Sequence, residues 1–91
     1  MSVPVRIPTI LRTYTGGANE VTVEGETLDE VLDALDQAHP GIKARVVDEE
    51  GKMRRFVNIY VANEDVRFAD GLATRTPANT QISIIPAVAG G

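Results

Sequence analysis

Thr27-Leu28-Asp29-Glu30-Val31-Leu32-Asp33-Ala34-Leu35-Asp36-Gln37-Ala38-His39-Pro40-Gly41 is the stretch on which the reading of this 91-residue chain turns. Leu28, Val31, Leu32 and Leu35 recur at i, i+3, i+4 and i+7, which places one apolar stripe along one face of an α-helix. Thr27 followed by Glu30 is a capping-box pairing, in which each side chain is expected to satisfy the other's free backbone N–H, and Pro40-Gly41 stops the helix. The spacing predicts a helix over residues 28–38. Its other face carries Asp29, Glu30, Asp33 and Asp36, with no Lys or Arg between Glu24 and Ile42. Asp29 and Glu30 suit the positive end of the helix dipole. Asp29 and Asp33 repel each other at i, i+4, and nothing nearby in sequence offsets this. The expectation is a solvated acidic face; neighbouring carboxylates on one helix do not make a metal site.

Before the helix, Val3, Val5 and Ile7 alternate with Pro4 and Arg6, a strand with one buried face, although Pro4 suits only an edge or a strand start. Thr9 to Tyr14 connects, Thr15-Gly16-Gly17-Ala18-Asn19 turns, and Val21 and Val23 alternate in a second strand that pairs antiparallel with the first. After the helix, Ile42 to Val47 adds a helical turn and Asp48-Glu49-Glu50-Gly51-Lys52 forms a loop. Arg55 to Val61 alternates as a third strand, Ala62-Asn63-Glu64-Asp65 turns, and Val66-Arg67-Phe68 reads as a short strand. Gln81 to Ile85 is the last strand, ended by Pro86. A single helix segregated to one face of a small mixed sheet is an α+β architecture. With the first and last strands adjacent at the sheet centre, this is the order of a β-grasp, the ubiquitin-like fold. Residues 1–86 are expected to form that domain and 87–91 a flexible tail.

Composition excludes several functions. Thirteen Asp and Glu against nine Lys and Arg leave a net charge of −4, the wrong sign for nonspecific nucleic-acid binding. With no cysteine and one histidine there is neither a thiol nucleophile nor a zinc site. His39 without a nearby Ser or Cys does not suggest catalysis, and Lys52, Arg54 and Arg55 read as a solvated basic cluster. No apolar run reaches the roughly 20 residues of a membrane helix, and the N-terminus lacks the apolar core of a signal peptide. The expected setting is the cytoplasm, without a membrane partner.

The sequence closes on Ala87-Val88-Ala89-Gly90-Gly91. A carboxylate activated inside another protein's site must thread a narrow cleft, and residues lacking a Cβ let the backbone pass at close range. Ala87 and Ala89 serve the same end. Because a carboxylate repels nucleophiles, it must first become a mixed anhydride, most simply an acyl-adenylate made from ATP. Such a chain needs no catalytic residue, bound cofactor or metal of its own, and is a co-substrate rather than an enzyme.

That order, ending in Gly-Gly, resembles the ThiS and MoaD sulfur carriers over essentially the whole chain. Ile7-Pro8-Thr9-Ile10-Leu11-Arg12, Thr15-Gly16-Gly17, Arg55-Phe56-Val57-Asn58-Ile59-Tyr60-Val61, Glu64-Asp65-Val66-Arg67-Phe68, Gly71-Leu72-Ala73-Thr74 and Pro86-Ala87-Val88-Ala89-Gly90-Gly91 are similar to the CysO-type carriers within that group. The resemblance implies that Gly91 is adenylated by an E1-like, MoeB-type enzyme using ATP and Mg²⁺ and becomes a thiocarboxylate. It further implies that the sulfur passes to a PLP-dependent cysteine synthase or another sulfur-incorporating enzyme, with a metalloprotease releasing cysteine. Two alternatives begin from the same chemistry: a ubiquitin-like protein modifier, and a MoaD-like small subunit of molybdopterin synthase. Departures from the CysO pattern fall at Ala62-Asn63, in the helix and in the 48–54 loop.

In the third strand Val57, Ile59 and Val61 share one side, leaving Phe56 and Tyr60 on the other, beside Ile85 of the last strand. An exposed apolar patch rimmed by polar groups marks a docking surface, so Phe56, Tyr60 and Ile85 are the expected partner contacts.

Overall fold

The computed structural model describes residues 2–54 and 57–86. Along the chain lie β1 (Ser2–Arg6), β2 (Glu20–Glu24), α1 (Leu28–Ala38), α2 (Ile42–Val46), β3 (Val57–Val61), β4 (Glu64–Asp65) and β5 (Ile82–Pro86), with single 3₁₀ turns at Thr9–Leu11, Val66–Phe68 and Gly71–Ala73. The strands form one sheet in the order β2-β1-β5-β3-β4. β1 and β5 run parallel at its centre, and the remaining pairs are antiparallel. With α1 against one face, this is the β-grasp read from the sequence.

Pro4 sits inside β1 without breaking the ladder. Ile7 N donates to Asn19 O at 2.9 Å, so alternate pairs towards Val5↔Val21 and Val3↔Val23 exchange hydrogen bonds and the Pro4↔Thr22 pair does not. The missing N–H therefore lies on the β5 side, where pairing begins only at Val5↔Ile82.

The inner face of the sheet presents Val3, Val5, Val23, Val57, Ile59, Val61, Ile82 and Ile84, all buried against Leu28, Val31, Leu32 and Leu35 of α1. Ile42 and Val46 of α2 close one end of the core. α1 starts close to the preceding turn: a Cβ on Gly25 would lie 2.7 Å from Val31 N, so only glycine fits there. At its other end the Asp36 carboxylate accepts from Gly41 N (3.0 Å) and Lys43 N (3.2 Å), fixing the turn into α2. Gly41 makes that turn at φ +98°, against the Tyr14 ring.

Four local expectations change. Thr27 caps α1 as read, accepting from Glu30 N, but the Glu30 carboxylate reaches Glu26 N (3.1 Å) rather than Thr27 N. Residues 74–76 hold this start in place through Leu28 N to Thr74 O and Thr76 N to Glu26 O. The acidic face of α1 is solvent-exposed as expected, but its internal repulsion is not left without an offset. Lys43 of α2 places its ammonium against Asp33 and 3.4 Å from Asp29, so the repulsion between those carboxylates has a counter-charge supplied from outside the helix. The Asp33 hydrogen bond is the main reason that Lys43 titrates above its ordinary value; the Coulomb pull of both aspartates adds to it and partial burial opposes it.

Third, the short strand is Glu64–Asp65, and Val66–Phe68 is a 3₁₀ turn. Ala62 and Asn63 form a two-residue hairpin with φ of +54° and +71°, so pairing resumes at once with Val61↔Glu64. Asp65 then ends the strand by accepting from Arg67 N at 2.9 Å. Fourth, Arg54 does not join a solvated cluster: its Nε donates to Ala44 O at 2.9 Å, tying the loop to α2. Within that loop the Asp48 carboxylate accepts from the backbone N–H groups of Lys52 and Glu50, and the first of these contacts is the main cause of its lowered pKa.

Candidate functional site

β5 lies between β1 and β3, so the chain leaving at Pro86 emerges from the middle of the sheet, with Val57 of β3 as the Cα partner of Pro86. The expected reactive residue Gly91, the access residues Ala87, Val88, Ala89 and Gly90, and the docking residue Phe56 lie outside the described residues. The other two residues expected to dock a partner, Tyr60 and Ile85, are described. Tyr60 is half-buried and Ile85 is 45% exposed, both on the face of the sheet away from α1. Directly opposite Tyr60 is Ser83, and opposite Ile85 is Asn58, so Tyr60 and Ile85 are diagonal neighbours across the β3–β5 pair. Side chains so placed sit roughly 7–8 Å apart at Cα, within reach of an aromatic ring.

Two features of this region escaped the sequence reading. Arg67, expected in a strand, forms a clamp: its guanidinium donates to Asn58 Oδ1 (3.0 Å), Val57 O (2.7 Å) and Arg54 O (2.7 Å). It therefore fixes the start of β3 next to the base of the tail. The second feature is a groove of about 390 Å³ at the same end of the sheet, lined by Arg6, Thr9, Ile10, Arg12, Ser83 and Ile85 among others. Ile7, before the Thr9–Leu11 turn, and Leu11, at its end, are buried, whereas Ile10 is 61% exposed on the groove. In a chain of net charge −4, the described residues that line this groove include two arginines and no carboxylate. The i, i+4 spacing of Ile7 and Leu11 was the available signal for Ile10.

Among the described residues no group of three or more His, Cys, Asp or Glu is placed to hold a metal ion. No described helix is long and apolar enough to cross a membrane. The region thus combines a partly exposed outer sheet face, a groove with two arginines in its described lining, and the departure of the chain from the middle of the sheet at Pro86.

The comparisons with known proteins agree with this arrangement. The sulfur carrier protein CysO of Mycobacterium tuberculosis is 50% identical over 93 residues, covering 100% of both chains. The small archaeal modifier protein 1 of Haloferax volcanii is 33% identical over 72 residues, 78% of each chain. Among solved structures, the Amycolatopsis orientalis BexX/CysO complex contains a chain that superposes with a TM-score of 0.92 at 52% identity, covering 98% of this chain and 99% of that one. Residues 5–91 match the ThiS family, and the chain belongs to it.

Proposed function

We propose that the chain is a sulfur carrier of the CysO type, a co-substrate whose terminal Gly91 is charged with sulfur and discharged by other enzymes. The observation that carries this reading is the 50% identity over 93 residues, covering all of both chains, to a sulfur carrier protein. In the proposed cycle an E1-like, MoeB-type enzyme binds ATP and Mg²⁺, and the Gly91 carboxylate attacks the α-phosphate, releasing pyrophosphate. A sulfur nucleophile then attacks the Gly91 carbonyl, AMP leaves, and a thiocarboxylate remains. A PLP-dependent cysteine synthase or a related sulfur-incorporating enzyme takes the sulfur, and where the product stays attached to the carrier a metalloprotease frees it. A CysO chain crystallised in complex with BexX supports the expectation that such a carrier docks on a partner protein.

The test is incubation with ATP, Mg²⁺, a sulfur donor and the adenylating enzyme, followed by fragmentation mass spectrometry. The mass added by exchanging one oxygen for sulfur nearly equals that of methionine oxidation, and Met1 and Met53 both oxidise, so the added mass must be placed on Gly91. Signal that depends on ATP and is lost on deleting Gly91 supports the carrier; sulfur loading that survives the deletion refutes it. Similarity to an archaeal modifier protein favours protein conjugation as the second reading. It would appear as a ladder of heavier conjugates on immunoblots of cell extract, whereas a MoaD-like subunit would co-purify with one large partner.

A further inference from the structure

We propose that the β2 edge of the sheet is a second docking surface, which takes an extended basic segment of another protein as an added antiparallel strand. The proposal stands apart from the carrier reading, because it uses no residue at the end of the chain.

The sheet order β2-β1-β5-β3-β4 leaves two edges, and they differ. β4 is two residues long and ends at once where the Asp65 carboxylate accepts from Arg67 N, so it offers an incoming strand little to pair with. β2 is five residues long, contains no proline, and pairs with β1 in an unbroken register from Arg6↔Glu20 to Ser2↔Glu24. Ile7 N donates to Asn19 O, which sets the alternation along the pair: Val21 and Val23 bond towards β1, and the N–H and C=O groups of Glu20, Thr22 and Glu24 point away from it. Among the described residues no strand covers this edge.

Charge selects the occupant. Glu20, Thr22 and Glu24 are exposed, and no Lys or Arg occurs between Arg12 and Lys43, which is itself committed to Asp33 and Asp29. Arg6 faces Glu20 from β1, on the far side of β2 from the edge. An added strand would lie one strand spacing, about 4.8 Å, from β2 but two spacings, about 10 Å, from β1, beyond the physiological Debye length of about 8 Å. Glu20 therefore dominates what the incoming strand meets. A second copy of the chain does not fit, because the register that pairs two β2 strands along their whole length sets Glu20 of each directly against Glu24 of the other. A strand with Lys or Arg at that place gains where the copy loses.

The opposite face of β2 sets the remaining positions. Val23 is buried, but Val21 is only half-buried at the rim of the core, so an apolar residue of an added strand would cover it. The pattern that fits is basic, apolar, β-branched, apolar, basic, with the middle residue opposite Thr22 and the C-terminal basic residue opposite Glu20. Main-chain hydrogen bonds from Glu20 and Thr22 would supply affinity, and the flanking charges would fix register. A strand added here lies three spacings, about 14 Å, from β5, and leaves Tyr60 and Ile85 open on the outer face. One protein can thus hold the chain by β2 while another handles its end.

The probe is a capped peptide with the core Lys-Val-Thr-Val-Lys, titrated into the isotope-labelled full chain and followed by NMR and amide exchange. Saturable binding is expected, with shifts centred on β2 and slower exchange of the Glu20 and Thr22 amides. Glu20→Lys should weaken it about three- to tenfold, and a Lys-Val-Thr-Val-Glu core should bind that variant better than the original peptide does. Methylating the backbone nitrogen of the peptide's central threonine should abolish binding with every charge retained. Thr22→Pro should do the same from the protein's side, since an edge strand tolerates proline where its N–H faces away from the sheet. The methylated peptide keeps the test decisive if that variant does not fold. No saturable binding up to about 1 mM peptide, shifts centred away from β2, or full binding by the methylated peptide would each overturn the proposal. Equal binding of a Glu-Val-Thr-Val-Glu core, or dimers of the chain formed through β2 without peptide, would overturn it as well. Failure of the carrier reading shows instead as absence of the ATP-dependent thiocarboxylate, a measurement this peptide does not enter.

Discussion

The two faces of the sheet come from the same strands and have opposite character. On the inner face β-branched side chains from β1, β3 and β5 are sealed under α1, with Val3, Val5, Ile59 and Ile82 at 0% exposure. On the outer face the residues between them are Pro4, Arg6, Asn58, Tyr60, Ser83 and Ile85, half-buried or open to solvent. Strand periodicity allows this division, because successive side chains point to opposite sides and each face can be composed independently. The apolar core lies on one face, and we propose that recognition is left to the other and to the end of the sheet where the tail departs. Substitutions should therefore separate into those that unfold the chain and those that disconnect it from its enzymes.

The largest effect is expected on the inner side. Leu32 is fully buried in the middle of the α1 stripe, and Leu32→Ala should cost about 2–5 kcal/mol through lost burial and a residual cavity. For a small domain that is a large share of the total stability. Denaturant titration of the variant checks it, and an unchanged midpoint would mean that the stripe is not the core.

Next comes the outer face. Tyr60→Ala should leave the chain folded while weakening its affinity for the adenylating enzyme by about 2 kcal/mol, roughly thirtyfold, the loss typical of a central aromatic anchor. Titration calorimetry with that enzyme, alongside a melting curve, tests both halves of the statement. Unchanged affinity in a folded variant would remove Tyr60 from the docking surface, and a collapse in stability would erase the contrast between the faces.

How far the sequence carried the reading depends on the range of the determining interaction. α1 was legible to the residue because its stripe, its Thr27 cap and Pro40-Gly41 all lie within one short window. The outward placement of Tyr60 and Ile85 followed from the two-residue period alone. Val66-Arg67-Phe68 misled because its alternation mimics a strand, whereas the conformation is set by the Asp65 cap and by an Arg67 guanidinium bonded to residues 9, 10 and 13 positions away, and Phe68 ends 90% exposed. Lys43 was missed for the same reason: its aspartates are 10 and 14 residues earlier, beyond any rule about neighbours on one helix.

A smaller effect of opposite sign is expected at the β3–β4 hairpin, which borders both faces. Ala62 holds φ +54° in a turn that favours asparagine or glycine, and a side chain without a local hydrogen bond is strained there. Ala62→Asn should stabilise by about 0.5–1 kcal/mol, a rise of a few degrees in melting temperature. A fall instead would show that the alanine methyl group makes a contact worth more than the strain.

The smallest effect concerns the ion pairs linking α1 to α2 on the far side of the core. Lys43 has its folded-state pKa raised, first by the Asp33 hydrogen bond, so its contribution is fully present below the unfolded value of about 10.4 and is lost as pH rises through the higher folded value. Asp29 and Asp33 are more than half exposed, and such partly solvated pairs contribute about 0.2–1 kcal/mol. Lys43→Met should therefore be slightly less stable than wild type from neutral pH to about pH 10, with the gap narrowing above that as the wild-type ammonium loses its proton. Chemical denaturation of both chains across this range measures the gap directly. If it stays constant into the alkaline limb, the stabilisation comes from packing of the lysine stem and not from charge. In that case the α1–α2 junction belongs with the inner face, held by apolar contact, and the exposed carboxylates of α1 contribute nothing to holding it.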